Sequence, residues 1–173
     1  MMEMNQVIWF TGLSGAGKTT LANALAKRLQ DQGILPVLLD GDTIRALVNQ
    51  TGFDEASRKD HNRLVGKWAN LLQQQGHWVI VSLISPYREV RNEIRQRCPR
   101  FIEVYLATPL DECIQRDPKG LYSRALAGEI TQFTGISAPY EEPEQPEISI
   151  NTSLFTQEQS LELLWSYIQK TIK

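Results

Sequence analysis

VIWFTGLSGAGKTTLANALAKRL, the stretch from Val7 to Leu29, decides the fold. Its opening run, Val7 to Phe10, is apolar throughout and has the length of a buried strand. Its second half has a different period. From Lys18 to Gln32, Leu21, Ala22, Leu25, Ala26 and Leu29 recur every three or four residues and Gly33 supplies a stop, which predicts a helix. Between the two, Gly12 to Thr19 fit GxxxxGK followed by Ser or Thr. Glycines at those places let backbone N–H groups turn toward phosphate oxygens, and the helix start adds the positive end of its dipole. On this reading Gly12, Leu13, Ser14, Gly15, Ala16, Gly17, Lys18, Thr19 and Thr20 hold the phosphates of ATP. Lys18 bridges the β- and γ-phosphates and the Thr19 hydroxyl ligates Mg²⁺. The pattern arises by chance at roughly 3 or 4 in 100,000 positions, so a glycine-rich turn without nucleotide is a poor rival.

Outward from this core, short apolar runs alternate with segments of helical period, the signature of βα units around a parallel sheet. Strands are expected at Val7–Phe10, Val37–Leu39, Trp78–Ile84, Phe101–Leu106 and Ile148–Ile150. Helices are expected from about Glu55 to Gln75, from Arg88 to Arg97, from Pro109 through Arg116, and after Thr156, with Gln159 completing a capping box. The stretch from Asp117 to Pro146 is rich in proline and glycine but carries Tyr122, Phe133 and Tyr140, and reads as a lid. The expected fold is therefore α/β: a three-layer P-loop NTPase fold with a mostly parallel five-stranded sheet and a lid segment near 117–146, in a single P-loop domain over residues 1–173.

A net charge of −2 offers no general attraction for nucleic acid. Arg88, Arg91, Arg95, Arg97 and Arg100 form a loose cluster, which reads as a solvated helix face with Glu89 and Glu93 interspersed. Cys98 and Cys113 lack metal-site spacing, the first ten residues lack the features of a signal peptide, and no apolar run is long enough to span a membrane. A cytoplasmic location fits best, with a homodimer left open.

The P-loop alone fixes nucleotide binding but not the reaction. The third strand runs into Ser85-Pro86 instead of the usual Walker B aspartate, and no NKxD guanine signature is present. A carboxylate does follow the second strand, in Asp40-Gly41-Asp42. Kinases acting on small hydroxyl acceptors need one there to orient the nucleophile and accept its proton. Asp42 equally suits a helix N-cap ahead of Thr43 to Val48, and one carboxylate can serve both ends.

Taken together, GLSGAGKTT (Gly12–Thr20), LDGDTIR (Leu39–Arg45), ISPYR (Ile84–Arg88), FIEVYLAT (Phe101–Thr108) and DPKGLYSRALAGEITQFTGISAPY (Asp117–Tyr140) resemble the adenylylsulfate kinase family. The likeness runs from Ile8 to Thr152, and its lid block is the most specific part. The resemblance implies transfer of the ATP γ-phosphoryl group to the ribose 3′-hydroxyl of adenylyl sulfate, with Lys18, Asp42 and Ser85 as catalytic positions. It implies that Arg45 and Arg58 face the phosphosulfate, that Phe53 and Phe133 sandwich the acceptor's adenine, and that Ile84, Ser85 and Lys119 line its pocket. Ser85 matches the family serine assigned to a phosphoenzyme intermediate, although direct in-line transfer is physically simpler and the residue also suits a helix N-cap before Pro86.

The chain departs from the family after Phe53. Ser57-Arg58-Lys59-Asp60-His61-Asn62-Arg63-Leu64 puts His61 where the family asparagine contacts the acceptor, and Leu64 where it has arginine. His61 can still donate a hydrogen bond, with a charge that varies near neutral pH, or it can simply be solvated on its helix. Two alternatives therefore stand beside the leading one: a paralogue phosphorylating another small hydroxyl metabolite, and a nucleotide-binding switch without turnover.

Overall fold

A computed structural model describes residues 5–172. In chain order the elements are β1 (Val7–Thr11), α1 (Lys18–Asp31), β2 (Val37–Asp40), α2 (Gly41–Leu47), α3 (Glu55–Gln74), β3 (Val79–Ser82), α4 (Arg88–Arg97), β4 (Phe101–Leu106), α5 (Leu110–Arg116), α6 (Leu121–Leu126), β5 (Ile148–Ile150) and α7 (Gln157–Thr171). The five strands form one sheet in the order β2-β3-β1-β4-β5, and every pairing is parallel.

The sheet is covered on both faces because alternate side chains of its strands point opposite ways. Val7 and Trp9 of β1 join Val79, Val81, Val65, Ala69, Val90 and Ile94 on the side of α3 and α4. Ile8 and Phe10 join Leu21, Leu25, Leu29, Ile80, Ile102, Leu164, Trp165 and Ile168 on the side of α1 and α7. Helices α3 and α4 approach closely at Gly66, where an added Cβ would lie 2.6 Å from Ile94 Cγ1. The expected capping box at Thr156 and Gln159 is present.

Most boundaries agree with the sequence expectation to within a residue, and two differences bear on the site. The third strand is shorter than Trp78–Ile84, because after Ser82 the chain leaves the sheet toward the loop Ile84–Tyr87. The N-cap of α2 is Asp40, whose carboxylate accepts from Thr43 N at 3.2 Å, so Asp42 is already in the first helical turn. Among the described residues no helix is long and apolar enough to cross a membrane.

Strand β1 lies between β3 and β4, so the chain connects to opposite sides of it and a crevice opens beyond its carboxyl end. The loop Gly12–Gly17 stands at that point.

Candidate active site

The loop after β1 is built by what surrounds it. Gly15 (φ 75°) and Gly17 (φ 101°) adopt left-handed backbone conformations that a side chain would strain. At Gly12 an added Cβ would come within 2.9 Å of the Leu106 carbonyl. The loop carbonyls are drawn outward by donors from distant segments. Tyr122 Oη donates to Ser14 O at 2.8 Å, Arg116 Nη1 to Gly15 O at 3.1 Å, and Thr152 Oγ1 to Ala16 O at 2.7 Å. With its carbonyls held this way, the loop can present N–H groups to an anion at the start of α1. Lys18 is buried and its Nζ donates to Leu13 O at 2.7 Å. Burial lowers its pKa to about 8, with the neighbouring Lys119 acting in the same direction and Cys113, Asp42 and Asp40 opposing.

Thr19 Oγ1 stands 3.4 Å from Ser82 Oγ, and Asp40 pairs in register with Ser82. No group of three His, Cys, Asp or Glu suited to a metal occurs among the described residues. The hydroxyls and the nearby carboxylate form an oxygen-only environment that fits Mg²⁺ carried largely by phosphates.

Across the crevice, α2 and α3 carry the residues expected to meet an acceptor. Asp42, in the first turn of α2, is exposed and its Oδ2 lies 2.5 Å from Lys119 Nζ of the lid. Arg45 donates to Gly52 O at 2.8 Å, and its guanidinium lies 4.8 Å from the ring centre of Phe53, which is 58% exposed. Arg58 reaches over to donate to the Gln132 carbonyl of the lid. Among the described residues neither Arg45 nor Arg58 has a carboxylate within 4.0 Å, and burial followed by repulsion from Arg58 lowers the pKa of Arg45. Asp42 opposes that shift from a distance, and two like charges without a direct ion-pair partner leave their donors available to an anion.

The remaining predicted residues are placed more deeply. Phe133 is buried against the edge of Tyr122, with ring centres 5.1 Å apart. The Ile84 carbonyl accepts from Thr11 Oγ1 at 2.8 Å. Ser85 is buried with φ 42°, and its hydroxyl accepts from Trp9 Nε1 at 3.0 Å. It is no helix cap, since α4 begins after Tyr87. His61 is likewise no solvated helix residue: it is 2% exposed, and its Nδ1 lies 2.8 Å from Gln50 Oε1. Burial first, then Arg45, lowers its pKa to about 4, so its charge does not vary near neutral pH.

Sequence reasoning missed Arg116, Thr108 and Thr152 as braces of the phosphate loop. Thr108 and Thr152 join through a 2.8 Å contact between hydroxyls 44 positions apart in the chain, which leaves no local signal. Tyr122 was visible only as an aromatic within the lid block.

A phosphate loop at the switch point of a parallel sheet, faced by a helix-borne carboxylate and a lid, defines a P-loop kinase. The family model described as adenylylsulphate kinase matches residues 4–151. An adenylyl-sulfate kinase of Picosynechococcus sp. is 51% identical over 163 residues, covering 94% of this chain and 92% of its own length. One of Chloroflexus aurantiacus is 50% identical over 165 residues, covering 95% and 89%. The solved APS kinase of Mycobacterium tuberculosis in complex with AMPPNP and APS superposes with a TM-score of 0.91 at 38% identity, over 96% of this chain and 98% of that one. The chain belongs to the adenylylsulphate kinase family and is an ATP-dependent kinase.

Proposed function

We propose that this protein transfers the γ-phosphoryl group of ATP to the 3′-hydroxyl of adenylyl sulfate, giving 3′-phosphoadenylyl sulfate and ADP. The observation that carries the acceptor is the pair Arg45 and Arg58, two guanidinium groups without a carboxylate of the described residues within 4.0 Å, the first of them over the exposed ring of Phe53. A planar fork of donors suits phosphate and sulfate oxygens, and an exposed ring suits a base. The names and the high coverage of the relatives support the same acceptor.

In this reading Gly12–Thr20 and Lys18 bind the triphosphate, and Asp42 orients the acceptor hydroxyl and takes its proton. The contact of Lys119 with Asp42 gives that carboxylate a charged partner at the edge of the acceptor pocket. Thr19, Ser82 and Asp40 would hold Mg²⁺, which when bound offsets charge on the β- and γ-oxygens. His61, neutral and held by Gln50, stands in for the family asparagine. Ser85, with its hydroxyl engaged by Trp9, supports the shape of the acceptor loop, which favours direct transfer over a phosphoserine. We read residues 1–173 as one kinase domain with its lid at about 117–146. Both cysteines are free and buried, in keeping with a reducing cytoplasm. A homodimer belongs to the same reading, with exposed Leu35 and Leu38 near the edge strand β2 as apolar surface for it.

The test is to incubate the protein with ATP, Mg²⁺ and adenylyl sulfate and to follow 3′-phosphoadenylyl sulfate by anion-exchange chromatography. Product that forms with adenylyl sulfate, and is competed only weakly by adenosine monophosphate, supports the reading. ADP formed only with other hydroxyl metabolites would make the protein a paralogue, and no ADP with any acceptor would make it a switch.

A further inference from the structure

One arginine of helix α4 departs from the solvated face that the sequence suggests. Arg91 is 1% exposed and sits where three segments meet. Its Nη1 donates to the Ser85 carbonyl at 2.6 Å, and its Nη2 donates to the Glu141 carbonyl. Its Nε stands 3.1 Å from Glu103 Oε1 of β4, an ion pair too bent for an aligned hydrogen bond. The guanidinium also lies 5.7 Å from the ring centre of Tyr140. That ring is tied to the start of the phosphate loop: Tyr140 Oη and Thr11 Oγ1 are 2.8 Å apart, and Thr11 Oγ1 donates to Ile84 O.

Stability alone is a poor explanation for this arrangement. A buried ion pair recovers its desolvation cost only in part, and apolar residues of similar volume often serve as well. Both Nη donors, moreover, go to main-chain carbonyls of other segments and not to the carboxylate. One of those carbonyls belongs to Ser85, whose φ of 42° is costly for a residue with a Cβ and persists only if its surroundings hold it. The other belongs to the stem of the lid, where Glu141 N donates back to Pro86 O at 2.8 Å.

We infer that Arg91 is a positioning residue for the acceptor: from beneath the loop Ile84–Arg88 it clamps the Ser85 and Glu141 carbonyls together and so fixes that loop against the phosphate loop and the lid stem. The inference rests on the reading that this loop faces the acceptor. Arg91 touches neither substrate. Its effect passes through the position of Ile84 and Ser85, and displacing such groups by a fraction of an ångström is felt by one substrate and not the other.

The test compares wild type, Arg91→Lys and the double variant Arg91→Met with Glu103→Leu, which removes both buried charges together. Calorimetry should find the double variant folded with a Tm near that of wild type. The KM for adenylyl sulfate should rise ~10- to 100-fold, while the KM for ATP and the Kd of a non-hydrolysable ATP analogue stay within about twofold. Arg91→Lys, which can reach one carbonyl but not bridge two, should give an intermediate acceptor KM and provides the readout should the double variant not fold. Amide hydrogen exchange, which needs no turnover, should quicken across residues 83–88 and 139–147 and stay unchanged across 12–19. If wild type makes no product from adenylyl sulfate, the acceptor reading fails, while the exchange pattern still tests the clamp. Wild-type acceptor KM in the variants, equal rises for ATP and acceptor, or unchanged exchange in both segments each overturns the inference.

Discussion

Raising the pH from 8 to 9 should weaken nucleotide binding by discharging Lys18. Its ammonium is buried in the phosphate loop, and burial lowers its pKa from 10.5 to about 8. A triphosphate bound against Lys18 should restore the proton, because its negative charge favours the ammonium form. The free protein therefore carries the proton in about half of its molecules at pH 8 and in about one tenth at pH 9, and the apparent affinity for nucleotide falls ~fivefold between them. The terminal phosphate contributes little to that change, being already ionised in this range. Isothermal titration with Mg²⁺ and a non-hydrolysable ATP analogue, in two buffers of different ionisation enthalpy, measures the coupling directly. Uptake of about 0.5 proton at pH 8 and about 0.9 at pH 9 is expected. Lys18→Arg keeps its charge throughout and should show no uptake, even if it binds less tightly. Uptake near zero in wild type at pH 9, or equal uptake in Lys18→Arg, refutes the reasoning.

Further outcomes follow from the same geometry. Asp42→Asn should lower kcat by about 100- to 10,000-fold with the Kd for ATP unchanged; a fall of less than about threefold would move the base to Asp40, which already caps α2. His61 has a folded pKa of about 4 against 6.5, so its neutral form stabilises the fold fully above pH 6.5 and that contribution, up to ~3 kcal/mol, is lost as the pH falls toward 4. Urea midpoints at pH 7 and 5 should fall further apart for wild type than for His61→Gln, and parallel shifts would contradict this. Phe53→Ala, at an exposed ring, should raise the KM for adenylyl sulfate by the equivalent of ~1 to 3 kcal/mol without lowering Tm, whereas Phe133→Ala should also cost stability. Gly66→Ala should destabilise the protein by about 1–3 kcal/mol in chemical denaturation despite alanine's better helix propensity, because its Cβ would meet the β-branched Ile94.

Much of the site was legible because its signals are local. The glycines of Gly12–Gly17 report a backbone conformation, the spacing of Leu21, Leu25 and Leu29 reports a buried helix face, and Thr156 with Gln159 reports a helix start within four residues. None of these depends on where the rest of the chain goes.

Other features had no such signal. Whether Asp40 or Asp42 caps α2 turns on where β2 ends, and that is set by its pairing with β3. Arg91 could not be told from Arg88 or Arg95 by charge pattern. It is buried because α4 lies on the sheet with that side chain opposite Glu103 of β4. His61 is neutral for the same kind of reason, since desolvation is a property of the packed surroundings and not of the residue. The sequence by itself determined the strand, glycine loop and helix of the phosphate-loop motif, and through its motif blocks the family. Only the tertiary structure decided the strand order, the bracing of the loop by Arg116, Tyr122 and Thr152, and the burial of Arg91 and His61, because each depends on groups far apart in the chain being excluded from water together.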